Sequence, residues 1–152
     1  MTSRRTGSTK KWPLEGIKVL DLGQIYNGPY AGFLLAHAGA DVVKVEPLSG
    51  EVLRERGGGE VPLSFAMLNT NKRGITINLK ESKGKELLIR LAGEADVLLE
   101  NFAPGAMDRL GLGIELFLEK NPRLIYASGS GYGLTGPKKD NLAMDLTVQA
   151  VS

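Results

Sequence analysis

Two short runs of apolar and β-branched residues, IKVLDL from residue 17 and DVVKVE from residue 41, stand just far enough apart to admit one helix between them. That is the spacing of a strand, helix, strand unit. Between the runs, Asn27-Gly28-Pro29 supplies turn chemistry and a proline suited to a first helical position. Tyr30, Phe33, Leu34 and Leu35 then recur as an apolar stripe. Ala31, Gly32, Ala36, Ala38 and Ala40 keep the rest of this helix thin, so it can lie close to a sheet, and Gly39 ends it. A right-handed crossover sets the two strands parallel, with the helix N-terminus at their carboxyl ends. Open α/β sheets bind their ligands at that edge.

The same alternation continues downstream. Ile75-Thr76-Ile77-Asn78-Leu79 alternates apolar and polar and predicts a third strand with one buried face. A helix follows from Glu81, with Leu87, Leu88, Leu91 and Ala92 at helical spacing and Gly93 as its cap. Residues 96–100 read as a fourth strand, 106–110 and 114–120 as helices, 124–128 as a fifth strand, and 143–152 as the start of another helix. Residues 49–62 form a loop rich in glycine and charge, with three glycines in a row at 57–59, suited to a ligand lid or to a plain surface excursion. Residues 64–68 are a short apolar segment. Residues 1–12 are polar and basic without periodicity and predict a disordered tail, leaving 13–152 as one α/β domain.

Composition narrows the function more than the fold. The 152 residues carry 19 basic and 17 acidic side chains, a net charge of +2, which argues against a dedicated nucleic-acid binder. There is no cysteine, so disulfides, thiolate metal sites and thiol catalysis by this chain are excluded. No stretch approaches the length of a membrane span and the first residues lack the apolar core of a signal peptide, so a cytoplasmic protein is expected.

The loops expected at the carboxyl ends of the strands are residues 24–29, 47–62, 101–109 and 129–139. Their glycines let backbone N–H groups approach a ligand, and Arg109, Lys138 and Lys139 add positive charge, in outline a phosphate-bearing pocket. The phosphate signatures fail, however: there is no Walker A loop, and the first turn is not G-x-G-x-x-G. The glycines of 129–136 are a weak nucleotide signal, and Ser128 and Ser130 do not fit a nucleophile elbow. His37, the sole histidine, is expected to pack, and no His/Cys zinc site can be built. Four carboxylates remain as possible nucleophiles: Asp21 and Glu46 end strands at the ligand edge, and Asp140 and Asp145 flank the start of the last helix, with the alternative role of structural caps.

Taken together and in order, PLEGIKVLDL, NGPYAGFLLAHAGADVVKVEP, MLNTNKRGITINLK, ADVLLENFAPGAMDRLGLG and NPRLIYASGSGYGLTGP resemble the class III CoA-transferases, the CaiB/BaiF family that includes the formyl-CoA transferases. The resemblance covers residues 13–152. It implies a Rossmann-like parallel sheet with helices on both faces, the N-terminal part of a larger CoA-transferase fold, binding coenzyme A and forming an interlocked homodimer. It also implies the cofactor contacts: Tyr26 and Asn27 in the first turn, Ile77, Asn78, Leu79 and Lys80 at a strand end, Asn101, Phe102 and Ala103 in the fourth loop, and Arg109. Pro47 stands where the formyl-CoA transferase pattern has an arginine, and Leu142 and Met144 where it has a lysine and a tyrosine.

The implied reaction moves coenzyme A from an acyl-CoA to a free carboxylic acid through an aspartyl-CoA intermediate, without a metal. The nucleophilic aspartate of that family lies beyond the position of Ser152, so the chain reads as an N-terminal fragment, inactive alone. Two alternatives stay open: a non-catalytic CoA-binding module or inactive fragment, and an acyl-CoA racemase. The racemase is disfavoured because Met144, before Asp145, cannot exchange a proton as a histidine would.

Overall fold

The computed structural model describes residues 11–56 and 62–151. Most of the expected basic tail, residues 1–10, and the three glycines at 57–59 lie outside the described residues. Lys11 and Trp12, which the sequence assigns to the tail, are described; Trp12 lies against Gly39, where any β-carbon would sit 2.3 Å from its own Cβ.

In chain order the elements are β1 (Lys18–Asp21), α1 (Asn27–His37), β2 (Asp41–Glu46), a 3-10 turn (Val52–Arg54), α2 (Leu63–Leu68), β3 (Arg73–Thr76), α3 (Ser82–Ala92), β4 (Val97–Glu100), α4 (Ala106–Arg109), α5 (Ile114–Lys120), β5 (Ile125–Ser128) and α6 (Asp145–Val151). The five strands form one sheet in the order β3-β2-β1-β4-β5, and every neighbouring pair is parallel. The fold is thus the expected α/β type with an open parallel sheet. Its strand order reverses between β1 and β4, so loops leaving those two strands diverge and open a crevice.

Alternation along each strand builds a core on either face. Leu20, Val45 and Leu98 point to the side covered by α3 and α5, joining Leu88, Phe117 and Leu124 in the larger cluster. Val19, Val42 and Leu99 point to the side of α1, where they meet Ala36 and Ala40.

Three expectations change. Helix α1 begins at Asn27, ahead of Pro29, and it buries Gly28, Pro29, Gly32 and Ala36 while Tyr30 and Leu34 stay about half exposed. The thin side faces the sheet because a buried ion pair lies under it: a β-carbon on Gly32 would stand 2.5 Å from Asp21 Oδ2 and 3.0 Å from Lys72 Nζ. Strand β3 ends at Thr76, so residues 77–80 form a turn instead of the strand's second half. The loop after β2 is partly ordered as the 3-10 turn, with the Glu51 carboxylate at its N-cap accepting from the Leu53 N–H.

Candidate functional site

The crevice at the carboxyl edge holds a cavity of about 360 Å³. The ends of β1 and β2 contribute Leu22, Gly23, Gln24, Val45 and Glu46; the loop after β2 adds Pro47 and Glu51. The turn after β3 supplies Ile77, Asn78, Leu79 and Lys80, and the loop after β4 with α4 supplies Phe102, Ala103, Ala106 and Leu110. Such apolar walls with a few polar groups and one lysine, Lys80, whose ammonium has no partner among the described residues, suit a mostly flat organic ligand with a charged end.

Six of the sequence-expected contacts therefore line this cavity: Ile77, Asn78, Leu79, Lys80, Phe102 and Ala103. The other four do not. Tyr26 is the exposed N-cap of α1, and Asn27 is exposed as the first helical residue. Arg109 is exposed and donates from Nη1 to the Pro104 carbonyl at 3.2 Å, on the short helix whose Ala106 borders the cavity. Asn101 works behind the wall: its Oδ1 accepts from the Gln24 N–H at 2.7 Å and its Nδ2 donates to the Gln24 carbonyl at 2.9 Å. It clasps the first turn to β4 across the switch point.

Buried charges hold the rest of this turn. Asp21, fully buried, accepts from the Gly23 N–H at 2.8 Å and from Lys72 Nζ at 2.7 Å. Lys72 also donates to the Pro29 carbonyl and to Asn69 Oδ1, so one ammonium joins β1, the first turn of α1 and the end of α2. Burial pushes the Lys72 amine below its ordinary value, and the charge of Asp21 offsets only part of that. Lys44 donates to the Gly23 carbonyl and stands 4.0 Å from Glu51 Oε2, while Glu51 Oε1 accepts from the Ile25 N–H.

Glu46 joins the loop after β2 to the sheet. It receives a two-pronged bond from Arg54 at 2.7 and 2.8 Å and accepts from the Glu51 N–H. Burial alone would raise its carboxyl, but the Arg54 bonds, the Glu51 N–H and the positive charges outweigh it and hold Glu46 below its usual value. Arg54 in turn lies over the Phe65 ring at 3.9 Å. On the far wall, Glu100 Oε2 accepts from the Phe102 N–H at 2.8 Å and so fixes the start of that loop. Burial, together with the neighbouring charge of Glu100, pushes the Tyr126 hydroxyl well above its usual range.

Asp21 and Glu46, weighed from sequence as nucleophiles, are therefore structural: each carboxylate is engaged by a cation and by a backbone N–H. Sequence reasoning missed Leu22, Gly23, Val45 and Leu110 as lining residues, while Gln24, Pro47, Glu51 and Ala106 fell within its candidate loops. The first three were recoverable as positions at or just past the ends of strands; Leu110, the C-cap of α4, was not.

Sheet order defines an α/β protein with an open parallel sheet and a cavity at its switch point. Comparison with known proteins makes the assignment narrower. Residues 14–152 match the model of CoA-transferase family III, and the chain belongs to that family. It is 47% identical over 141 residues to a formyl-CoA:oxalate CoA-transferase of Streptomyces avermitilis, covering 91% of this chain and 34% of the relative. It is 42% identical over 150 residues to an acetyl-CoA:oxalate CoA-transferase of Acetobacter aceti, covering 97% and 39%. The human succinyl-CoA:glutarate CoA-transferase is 40% identical over 144 residues, covering 92% and 33%. A crystal structure of a CaiB/BaiF family protein from Brucella suis superposes with a TM-score of 0.88 at 40% identity, covering 93% of this chain and 39% of that one. The chain thus spans between a third and two fifths of the length of these relatives.

Proposed function

We propose that this chain is the coenzyme A-holding part of an enzyme that transfers coenzyme A from an acyl-CoA to a free carboxylic acid in the cytoplasm. The observation that carries the reading is the cavity at the switch point, apolar on its walls and bordered by Lys80, whose ammonium has no partner among the described residues. Coenzyme A has matching parts: a flat base and an apolar-faced arm for the walls, and phosphates for the cation. Ile77, Asn78, Leu79, Lys80, Phe102 and Ala103 contact it directly in this reading. Tyr26, Asn27 and Arg109 meet the parts that extend from the cavity, and Asn101 acts by holding Gln24.

In the transfer, an aspartate carboxylate outside these 152 residues attacks the thioester carbonyl and expels the CoA thiolate, leaving a mixed anhydride. The thiolate attacks the aspartyl carbonyl of that anhydride, releasing the donor acid and forming aspartyl-CoA. The acceptor carboxylate repeats the sequence in reverse, leaving with the CoA and restoring the aspartate. This chain's task is to keep the CoA handle in place between the two half-reactions, in a complete enzyme that is a homodimer. Two of the relatives named above act on oxalate and one on glutarate, so small dicarboxylic acids are the acceptors to assay first.

Calorimetric titration with coenzyme A tests the reading. Binding is expected, and Lys80→Ala should weaken it roughly tenfold by removing a charge-assisted contact. Absence of binding by the unaltered chain would overturn it.

A further inference from the structure

The turn between β1 and α1 is held in an uncommon shape at considerable structural expense. Ile25, a β-branched residue, has a φ of 63°, in the left-handed region that such residues avoid. Strain of this kind persists only where the surroundings over-determine it, and it collects at functional positions. Here Asp21, Lys44, Glu51 and Asn101, from four separate stretches of chain, all bond the backbone of residues 23–25.

The first turn of a dinucleotide-binding sheet ordinarily aims its N–H groups at a phosphate. In this chain the N–H groups of Gly23, Gln24 and Ile25 are all occupied by carboxylate or carboxamide oxygens of the protein itself. None of these three donors is left for a ligand. What it brings to the cavity is the residue at its centre, Gln24, which is half-buried and whose carboxamide has no partner among the described residues. The other polar lining groups are committed in part or in one sense. Glu46 is taken by Arg54, Asn78 Oδ1 accepts from the Lys80 N–H, and Lys80 can only donate.

We propose that Gln24 is a specificity-determining residue, its carboxamide pairing with an adjacent donor and acceptor on the ligand. This deepens the coenzyme A reading and rests on it. A carboxamide presents an N–H and a C=O side by side, the complement of an adenine edge, whereas a trans secondary amide points its N–H and C=O in opposite directions and can take only one of the two bonds. Coenzyme A carries the first in its nucleotide and the second in its pantetheine arm.

The test compares the unaltered chain with Gln24→Ala by calorimetry and thermal unfolding, using coenzyme A, adenosine 3′,5′-bisphosphate and pantetheine as probes. The substitution should weaken coenzyme A roughly three- to tenfold. It should leave Tm within about 1 °C, because no intramolecular bond is lost. A matching loss for the bisphosphate assigns the pair to adenine; a loss for pantetheine with none for the bisphosphate would overturn the two-bond pairing. Equal affinity of both proteins for coenzyme A would overturn the role of Gln24 while leaving the coenzyme A reading intact. A large fall in Tm alongside the lost affinity would show a merely structural residue and also overturn it. If the unaltered chain fails to bind coenzyme A, both fall.

Discussion

Replacing Lys72 by methionine should destabilise the domain more than any other single change to its charges. The Lys72 and Asp21 side chains are 1% and 0% exposed and their charged atoms are 2.7 Å apart. Methionine fills much of the same space but leaves Asp21 buried with the Gly23 N–H as its hydrogen-bond donor, and leaves the Pro29 carbonyl and Asn69 Oδ1 without the Lys72 ammonium. Removing one partner of a buried pair costs about 3–5 kcal/mol, mainly because the other charge is stranded. For a chain of this length that corresponds to a fall in Tm on the order of 10 °C. The pair itself is worth much less than this, since burial already pushes the Lys72 amine downward against the pull of Asp21. The double variant Asp21→Asn with Lys72→Met, which removes both charges, should therefore recover at least half of the loss. Equilibrium urea unfolding at pH 7 reads all three proteins. A cost below about 1 kcal/mol for Lys72→Met, or a double variant no more stable than the single one, would refute the argument from a stranded charge.

Other changes test the walls of the cavity. Arg54→Ala should cost about 1.5–3 kcal/mol by removing a two-pronged charge-assisted bond to buried Glu46. Because the folded pKa of Glu46 lies below its unfolded value, its stabilisation is complete above about pH 4.3 and is lost as pH falls through the folded value. Urea midpoints of the unaltered chain should thus drop below pH 4, and those of Arg54→Ala should drop less; parallel curves would count against the pair. Gly84→Ala places a β-carbon 2.0 Å from the Asn78 carbonyl oxygen, so the segment carrying residues 77–80 must move. Stability should fall by about 1–3 kcal/mol, and coenzyme A affinity with it, measurable by thermal unfolding and calorimetry. Arg109→Ala touches only an exposed hydrogen bond within the protein, so unchanged Tm with coenzyme A binding weakened by roughly 1.5–3 kcal/mol is the expected result; unchanged affinity would remove Arg109 from the site.

Local pattern was enough for most of the fold. The helix at Ile114–Lys120 and the strands around Leu20, Val45 and Leu98 are where periodicity placed them, because alternation and helical spacing are properties of neighbours in sequence. The family, too, was legible from its ordered segments. Six of the ten contacts that the resemblance implied border the cavity, because they sit just beyond strand ends.

What required the tertiary structure was every pairing between distant charges. A stripe of Tyr30, Phe33, Leu34 and Leu35 looks like the buried side of α1, yet the small side is buried because Asp21 and Lys72, 51 positions apart, meet beneath it. Likewise Asp21 and Glu46 look like free carboxylates until Lys72 and Arg54 are seen beside them, and Gln24 looks ordinary until Asn101, 77 positions away, is seen to hold its backbone. Hydrophobic alternation records which way a residue faces within its own element. The partner of a buried charge is chosen by how the chain crosses over, and no stretch of sequence contains that.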